Sequence, residues 1–340
     1  MWGNVADLDK CDEHRGESPI GDEPQSPPSG FRCVWANEWD KYAASIYRNR
    51  FPETPLSTDD IRKVNADDIP DHDLLCAGFP CQAFSVAGKR RGLEEARGTL
   101  FYEIARIAER KRPRLLLLEN VKGLLSHDKG KTFGVILEVL GSIDYRLEWQ
   151  VLNSKWFGVP QNRERVFIVG HLGDEPSRTV FPITEIGGDF NEAHGEAQGD
   201  GSRVRNEDQG IAGSLRVGGS GLEDNLIAGT LSHRYGKDGS ENLIEVGNIL
   251  SSRASDGRIY SPEGLSPTLR PSIFGWAKPK IETSEARIRR LTPLECERLQ
   301  GFPDGFTEGV SDTQRYKMLG NAVTVNVIQF LGYKIKEAMF

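Results

Sequence analysis

The sequence predicts an α/β protein, a doubly wound parallel sheet with helices on both faces, joined to a smaller strand- and loop-rich unit. Two observations predict it. Between residues 31 and 172, apolar runs of strand length alternate with segments of helical period, which is the pattern of βαβ units. The composition then shifts: residues 186–280 hold 17 of the 37 glycines and no long helical period.

The elements follow in order. Residues 1–30 carry Pro19, Pro24, Pro27 and Pro28 and seven acids against Lys10 and Arg15, with no period of either kind, so a disordered leader is expected. Residues 32–36 read as a strand, and 40–50 as a helix with Tyr42, Ile46 and Tyr47 on one face. Residues 73–77 form the next strand. Leu100, Ile104, Ile107 and Ala108 set a helix over 99–111. Residues 114–119 form a strand of the kind buried on both faces. Phe133, Ile136, Leu137 and Leu140 mark another helix, and 145–152 and 166–172 two further strands. Thr292, Pro293 and Glu295 form a capped helix start, with the end near Gly301. Residues 323–338 are the last helix, opened by Gly320-Asn321-Ala322-Val323. The larger domain is therefore expected over 31–185 and 305–340, and the smaller over 186–304.

Composition excludes several classes. The 340 residues carry 43 Lys+Arg and 50 Asp+Glu, a net charge of -7, with 37% hydrophobic content, so the chain is not a disordered polymer. The longest clean apolar run, 115–118, is far short of the ~20 residues a bilayer helix needs. The first 30 residues lack the apolar core of a signal peptide. Five scattered cysteines without a Cys-x-x-Cys pair fit a reducing, cytoplasmic setting and give no zinc site.

Four motifs can carry chemistry. Gly78-Phe79-Pro80-Cys81-Gln82-Ala83-Phe84-Ser85 follows a strand, where open α/β sheets bind ligands. Cys81 there is either a nucleophile or a small packed hydrophobe. Glu119-Asn120-Val121 ends the next strand, and Glu119 can move a proton or simply pair with a cation. Gln161-Asn162-Arg163-Glu164-Arg165 suits phosphate or carbonyl recognition, or is a surface charge cluster. Gly320 to Val323 is a helix start that binds an anion or only caps.

In this order, and with Arg290-Leu291-Thr292-Pro293 and Arg298-Leu299-Gln300-Gly301-Phe302-Pro303 between the last two, the motifs resemble those of the DNA (cytosine-5)-methyltransferases of prokaryotic restriction-modification type. The resemblance implies a Rossmann-like methyltransferase sheet with a target-recognition domain, acting on cytosine C5 in duplex DNA with S-adenosylmethionine. It implies Cys81 as nucleophile toward C6, Glu119 on the N3 and N4 edge of the base, and Arg165 with Arg163 on the base carbonyl and nearby backbone. It assigns the cofactor to Glu38, Trp39, Asp60, Ile61, Pro80, Leu100, Asn321 and Val323. It assigns DNA contacts to Gln82, Ser85, Lys89, Arg90 and Arg97, on a loop that closes over the flipped base, and to Thr268 and Leu269. It further implies a cytoplasmic monomer, leaves room for a cognate restriction endonuclease without physical contact, and needs no metal. A tRNA methyltransferase on the same fold is the alternative substrate class.

The chain departs from the family at one place. The family opens with a strand leading into Phe-x-Gly-x-Gly, and the only Gly-x-Gly triplets here begin at Gly199 and Gly219. The first strand, its glycine loop and the first helix are expected to be missing, so cofactor binding is expected to be weak or absent. The alternative readings are a truncated or mis-started product, a fragment complemented by a separate chain that carries the missing part, and a DNA-binding remnant without catalysis. The net acidity, which by itself speaks against DNA, is concentrated in residues 1–30, while basic clusters lie at 89–91 and 163–165.

Overall fold

The structure is a computed structural model and describes residues 3–7, 30–80, 100–173, 178–183, 212–215, 245–248, 258–260, 266–269, 280–282 and 288–339. Its centre is an eight-stranded sheet. In chain order the strands are β1 (Gly3–Asp7), β2 (Arg32–Asn37), β3 (Leu56–Ser57), β4 (Leu74–Gly78), β5 (Leu115–Val121), β6 (Tyr145–Asn153), β8 (Glu164–Leu172) and β9 (Ala212–Leu215). They lie in the order β3-β2-β1-β4-β5-β8-β6-β9. The helices are α1 (Lys41–Arg50), α2 (Leu100–Lys111), α3 (Lys131–Ser142), α4 (Pro293–Leu299), α5 (Asp312–Asn321) and α6 (Val325–Met339).

The sheet has two buried faces because β5 is apolar in both directions. Leu116 and Leu118 pack with Phe101, Ile104 and Ile107 of α2 and with Phe133, Ile136 and Leu137 of α3. Leu115 and Leu117, pointing the other way, pack with Val327, Leu331 and Ile335 of α6 and with Val180, Phe181 and Ile183. Side chains of β6 strap that last segment down. Glu148 accepts the Val180 and Phe181 amides at 2.8 and 3.1 Å, and Gln150 accepts the Ile183 amide at 2.8 Å.

The expected strands and helices between 31 and 172 are all present, but the sheet is mixed. β8 runs antiparallel to both β5 and β6. The link from β6 to β8 holds only a short 3-10 turn, Ser154–Trp156, and the two-residue β7 (Gln161–Asn162). A parallel return needs a crossover of a dozen or more residues, so the chain turns back on itself.

Two further differences concern sheet edges and gaps. Gly3–Asp7, expected in the disordered leader, is a strand between β2 and β4, antiparallel to both. It satisfies backbone groups that an open slot would leave bare. β9, expected within the smaller domain, instead pairs with β6 and covers that edge of the main sheet.

The smaller unit contributes a four-stranded sheet, β10 (Glu245–Asn248), β11 (Arg258–Tyr260), β13 (Lys280–Glu282) and β14 (Ile288–Arg290). A separate strand, β12 (Ser266–Pro267), pairs with β7.

The predicted capping box is present. Thr292 caps α4, and Glu295 reaches back to the Thr292 amide at 2.7 Å. One helix boundary moves. Gly320 and Asn321 end α5 rather than open α6, and Ala322 is extended at φ -65°, ψ 152°. The carbonyls of Gly320 and Ala322 are taken by Arg163, and the Val325 amide by the Gln300 carbonyl. These tertiary partners replace the bonds a continuous helix would make.

Candidate active site

β2, β3, β4 and β5 point the same way. Their carboxyl ends therefore open along one edge, where ligands of open α/β sheets sit. Gly78, the last residue of β4, is paired with Glu119 of β5. Neighbouring β8 delivers Arg165, whose Nε lies 2.9 Å from Glu119 Oε1. Both side chains are mostly buried. Burial pushes the Glu119 carboxyl above its ordinary value, and the Arg165 and Arg163 charges offset this only in part.

Asn120 adds a clamp that the sequence reading assigned no role. Its Nδ2 donates to the Phe79 carbonyl at 2.7 Å, and its Oδ1 accepts the Val121 amide at 2.8 Å. The end of β5 thereby holds the chain where it leaves β4, two residues before Cys81. Cys81 itself, with Gln82, Ser85, Lys89, Arg90 and Arg97, lies outside the described residues.

Arg163 and Arg165 do not share one role. Arg163 is expected beside Arg165 on the substrate, yet it is 2% exposed and spends its guanidinium on main-chain carbonyls. It donates to Leu269 at 3.0 Å, to Gly320 at 3.1 Å and to Ala322 at 2.7 Å. A planar fork of donors suits this convergence of three carbonyls. Gln161 works beside it, donating to the Leu299 carbonyl at 2.7 Å and accepting the Leu269 amide at 3.3 Å. Gln300 donates to the Leu319 carbonyl at 2.7 Å and accepts from the Thr324 hydroxyl, which also meets Ser154. The helical motif, the β7 motif and the segment around Leu269 are thus joined by buried polar bonds. Gln161, Gln300 and Thr324 had no signal in the sequence beyond lying in or next to quoted motifs.

Thr268 and Leu269, expected on DNA, are first of all part of this joint. The Thr268 hydroxyl donates to the Asn162 carbonyl at 2.7 Å. Leu269 is buried against Leu291, Cys296 and Leu319, which removes its side chain from any exposed contact surface.

Of the residues assigned to a cofactor, Glu38, Trp39, Asp60, Ile61 and Pro80 follow the ends of β2, β3 and β4 along the same edge. Trp39, just beyond β2, is 72% exposed, so its ring face is presented to solvent. Glu38 beside it is buried, and its Oε1 accepts the Asp40 amide at 2.8 Å. Asn37 donates to the Asp59 carbonyl at 3.0 Å and so anchors the turn bearing Asp60 and Ile61. Arg62 holds the Asp60 carboxyl down to about 2, through hydrogen bonds from its side chain and amide. Pro80 follows β4, Leu100 opens α2, Asn321 is exposed at the end of α5, and Val323 packs partly on the α6 face. An open indole face, acceptor carboxylates at two neighbouring strand ends, and apolar Ile61 and Leu100 fit an adenosyl group in kind. A cavity of about 320 Å³ between residues 178–183 and the end of α6 is elsewhere. Arg114, just before β5, ties that end of α6 to the opposite edge of the sheet.

The family profile described as C-5 cytosine-specific DNA methylase matches residues 26–337. The chain belongs to that family. The chain is 35% identical over 317 residues to the Type II methyltransferase M.HhaI of Haemophilus parahaemolyticus, covering 91% of this chain and 89% of the relative. It is 39% identical over 319 residues to the Type II methyltransferase M.NlaX of Neisseria lactamica, covering 91% and 90%. Among solved structures it resembles the S. pombe Dnmt2 methyltransferase, with a TM-score of 0.59 over 89% of this chain and 91% of that one. At 20% identity that likeness concerns the fold alone. Among the described residues, no helix is long and apolar enough to cross a membrane.

Proposed function

We propose that the chain methylates C5 of cytosine within a specific sequence of duplex DNA, using S-adenosylmethionine, a flipped-out base and covalent addition of Cys81. The supporting observation is the Glu119–Arg165 pair at the carboxyl edge, next to the point where Asn120 clamps the approach to Cys81.

C5 of cytosine is a poor nucleophile and must be activated, and the ring cannot be reached inside the duplex, so the base must leave the stack. The Cys81 thiolate adds to C6 and makes C5 enamine-like. Glu119 holds the N3 and N4 edge. Its raised carboxyl is suited to supply the proton that stabilises the adduct. Arg165 takes the base carbonyl and keeps Glu119 oriented, while Arg163 braces the joint behind them. S-adenosylmethionine supplies the methyl group, with Trp39, Glu38, Asp60, Ile61, Pro80, Leu100, Asn321 and Val323 holding it. The C5 proton is then lost and the Cys81 sulfur expelled. Gln82, Ser85, Lys89, Arg90 and Arg97 contact the DNA backbone. The setting is cytoplasmic and the working unit a monomer.

One observation favours a second reading, a DNA-binding relative impaired in methyl transfer. β1 runs antiparallel, so the strand in the slot between β2 and β4 begins at the site edge rather than ending there.

Trapping on duplex DNA containing 5-fluorocytosine tests the first reading. The parent chain forms a covalent complex in the presence of S-adenosylmethionine and Cys81→Ser does not. Equal trapping of both removes Cys81 from its role, and DNA binding without trapping by the parent selects the second reading. Bisulfite readout on duplex DNA against tRNA decides the nucleic acid.

A further inference from the structure

Asp40 stands between the turn that carries Glu38 and Trp39 and a helix far along the chain. Its Oδ1 accepts the Tyr42 and Ala43 amides at 2.9 and 3.2 Å and caps α1. Its own amide donates to Glu38 Oε1 at 2.8 Å. Its second oxygen, Oδ2, accepts Lys317 Nζ of α5 at 2.6 Å, across 277 positions of sequence. The other end of α1 is held from the same region. Arg50 Nε donates to the Phe306 carbonyl at 3.0 Å, and its guanidinium lies 5.2 Å from the centre of the Phe306 ring. α5 is itself seated on the joint described above, through Leu319 against Leu269 and Leu291 and through the Tyr316 hydroxyl on the Leu291 carbonyl at 2.6 Å.

The charge state agrees with this geometry. Burial alone would raise the Asp40 carboxyl, but Lys317 and the two helix amides more than offset it and hold it below the ordinary value. Asp40 is therefore ionised at neutral pH, with Lys317 as its counter-charge.

We propose that Lys317 is a positioning residue for cofactor binding, acting through Asp40 to fix the turn that presents Trp39 and Glu38. The proposal rests on the S-adenosylmethionine reading above. Without Lys317, Asp40 can still cap α1 through Oδ1, so the helix keeps its start. The carboxylate loses the partner that fixes its rotation, and the turn attached to it loosens. Both side chains are partly exposed, which keeps the effect modest.

The test is calorimetric titration of the full chain with S-adenosylmethionine, paired with steady-state methylation of duplex DNA. The proteins are the parent, Lys317→Met, Lys317→Arg, Asp40→Asn and the Asp40→Asn/Lys317→Met double variant. Lys317→Met is expected to weaken Kd and raise the cofactor KM by about three- to fivefold, with kcat and the KM for DNA unchanged. Lys317→Arg restores binding, Asp40→Asn matches Lys317→Met, and the double variant is no worse than either. A lowered Tm with unchanged Kd assigns Lys317 a purely structural role and overturns the proposal. Parent-like Kd in both single variants overturns it while leaving the cofactor reading intact. Absence of binding by the parent overturns the cofactor reading and this proposal with it.

Discussion

Arg165 and Glu119 meet diagonally across the β5–β8 pair. Arg165 lies opposite Val121 and Glu119 opposite Phe167, yet Nε reaches Oε1 at 2.9 Å. Diagonal neighbours share a sheet face, so two separate motifs converge on one point at the carboxyl edge.

Glu119→Gln should lower the single-turnover methylation rate by about 10² to 10⁴-fold, with DNA binding retained. The pH dependence has a definite sign. The acid form donates the proton, and burial raises its pKa. The rate should therefore fall as pH rises through that raised value, and a residual Glu119→Gln activity should lack this alkaline limb. A parent profile with no alkaline limb would remove Glu119 as the proton donor.

Arg163→Ala and Arg165→Ala should separate stability from chemistry. Removing Arg163 takes a donor from three main-chain carbonyls, the Ala322 carbonyl keeping a longer bond from Gln300 at 3.3 Å, and should cost about 3 kcal/mol in urea denaturation. Arg165→Ala should cost less stability and more turnover. If Arg163→Ala unfolds at the parent's midpoint, the bracing role fails.

Asn120→Ala should reduce the methyl-transfer rate about tenfold, or more if the Cys81 segment shifts by ~1 Å. DNA and cofactor affinities should change little. Asn120→Asp should not rescue, because a carboxylate cannot donate to the Phe79 carbonyl. Full rescue by Asp, measured in single-turnover assays, would place the effect elsewhere.

Gly301→Ala should destabilise the fold by about 2 kcal/mol. Gly301 has φ +73°, and a Cβ there would collide with the Asn326 side chain. A parent-like thermal melt would contradict this.

The order of elements was readable because each rests on local periodicity. The 115–118 run, the 3.6-residue spacing from Leu100 to Ala108 and the Thr292–Glu295 box all depend on residues within one or two turns of each other. Glu119 and Arg165 were readable for a related reason, since each lies in a compact motif at a strand end. What escaped depends on partners far apart in sequence. The break between α5 and α6 arises because Arg163 and Gln300 capture carbonyls and amides near residues 320–325.

The α/β class, the family and the residues available for chemistry are written in local pattern and composition, and the sequence carries them unaided. Which arginine braces and which meets the carboxylate is settled by the folded arrangement. Only it showed that Gly3–Asp7 joins the sheet and that Lys317 reaches Asp40. Such outcomes turn on which buried polar group finds a partner across the fold, and a buried donor or acceptor takes whatever partner the packing brings within reach.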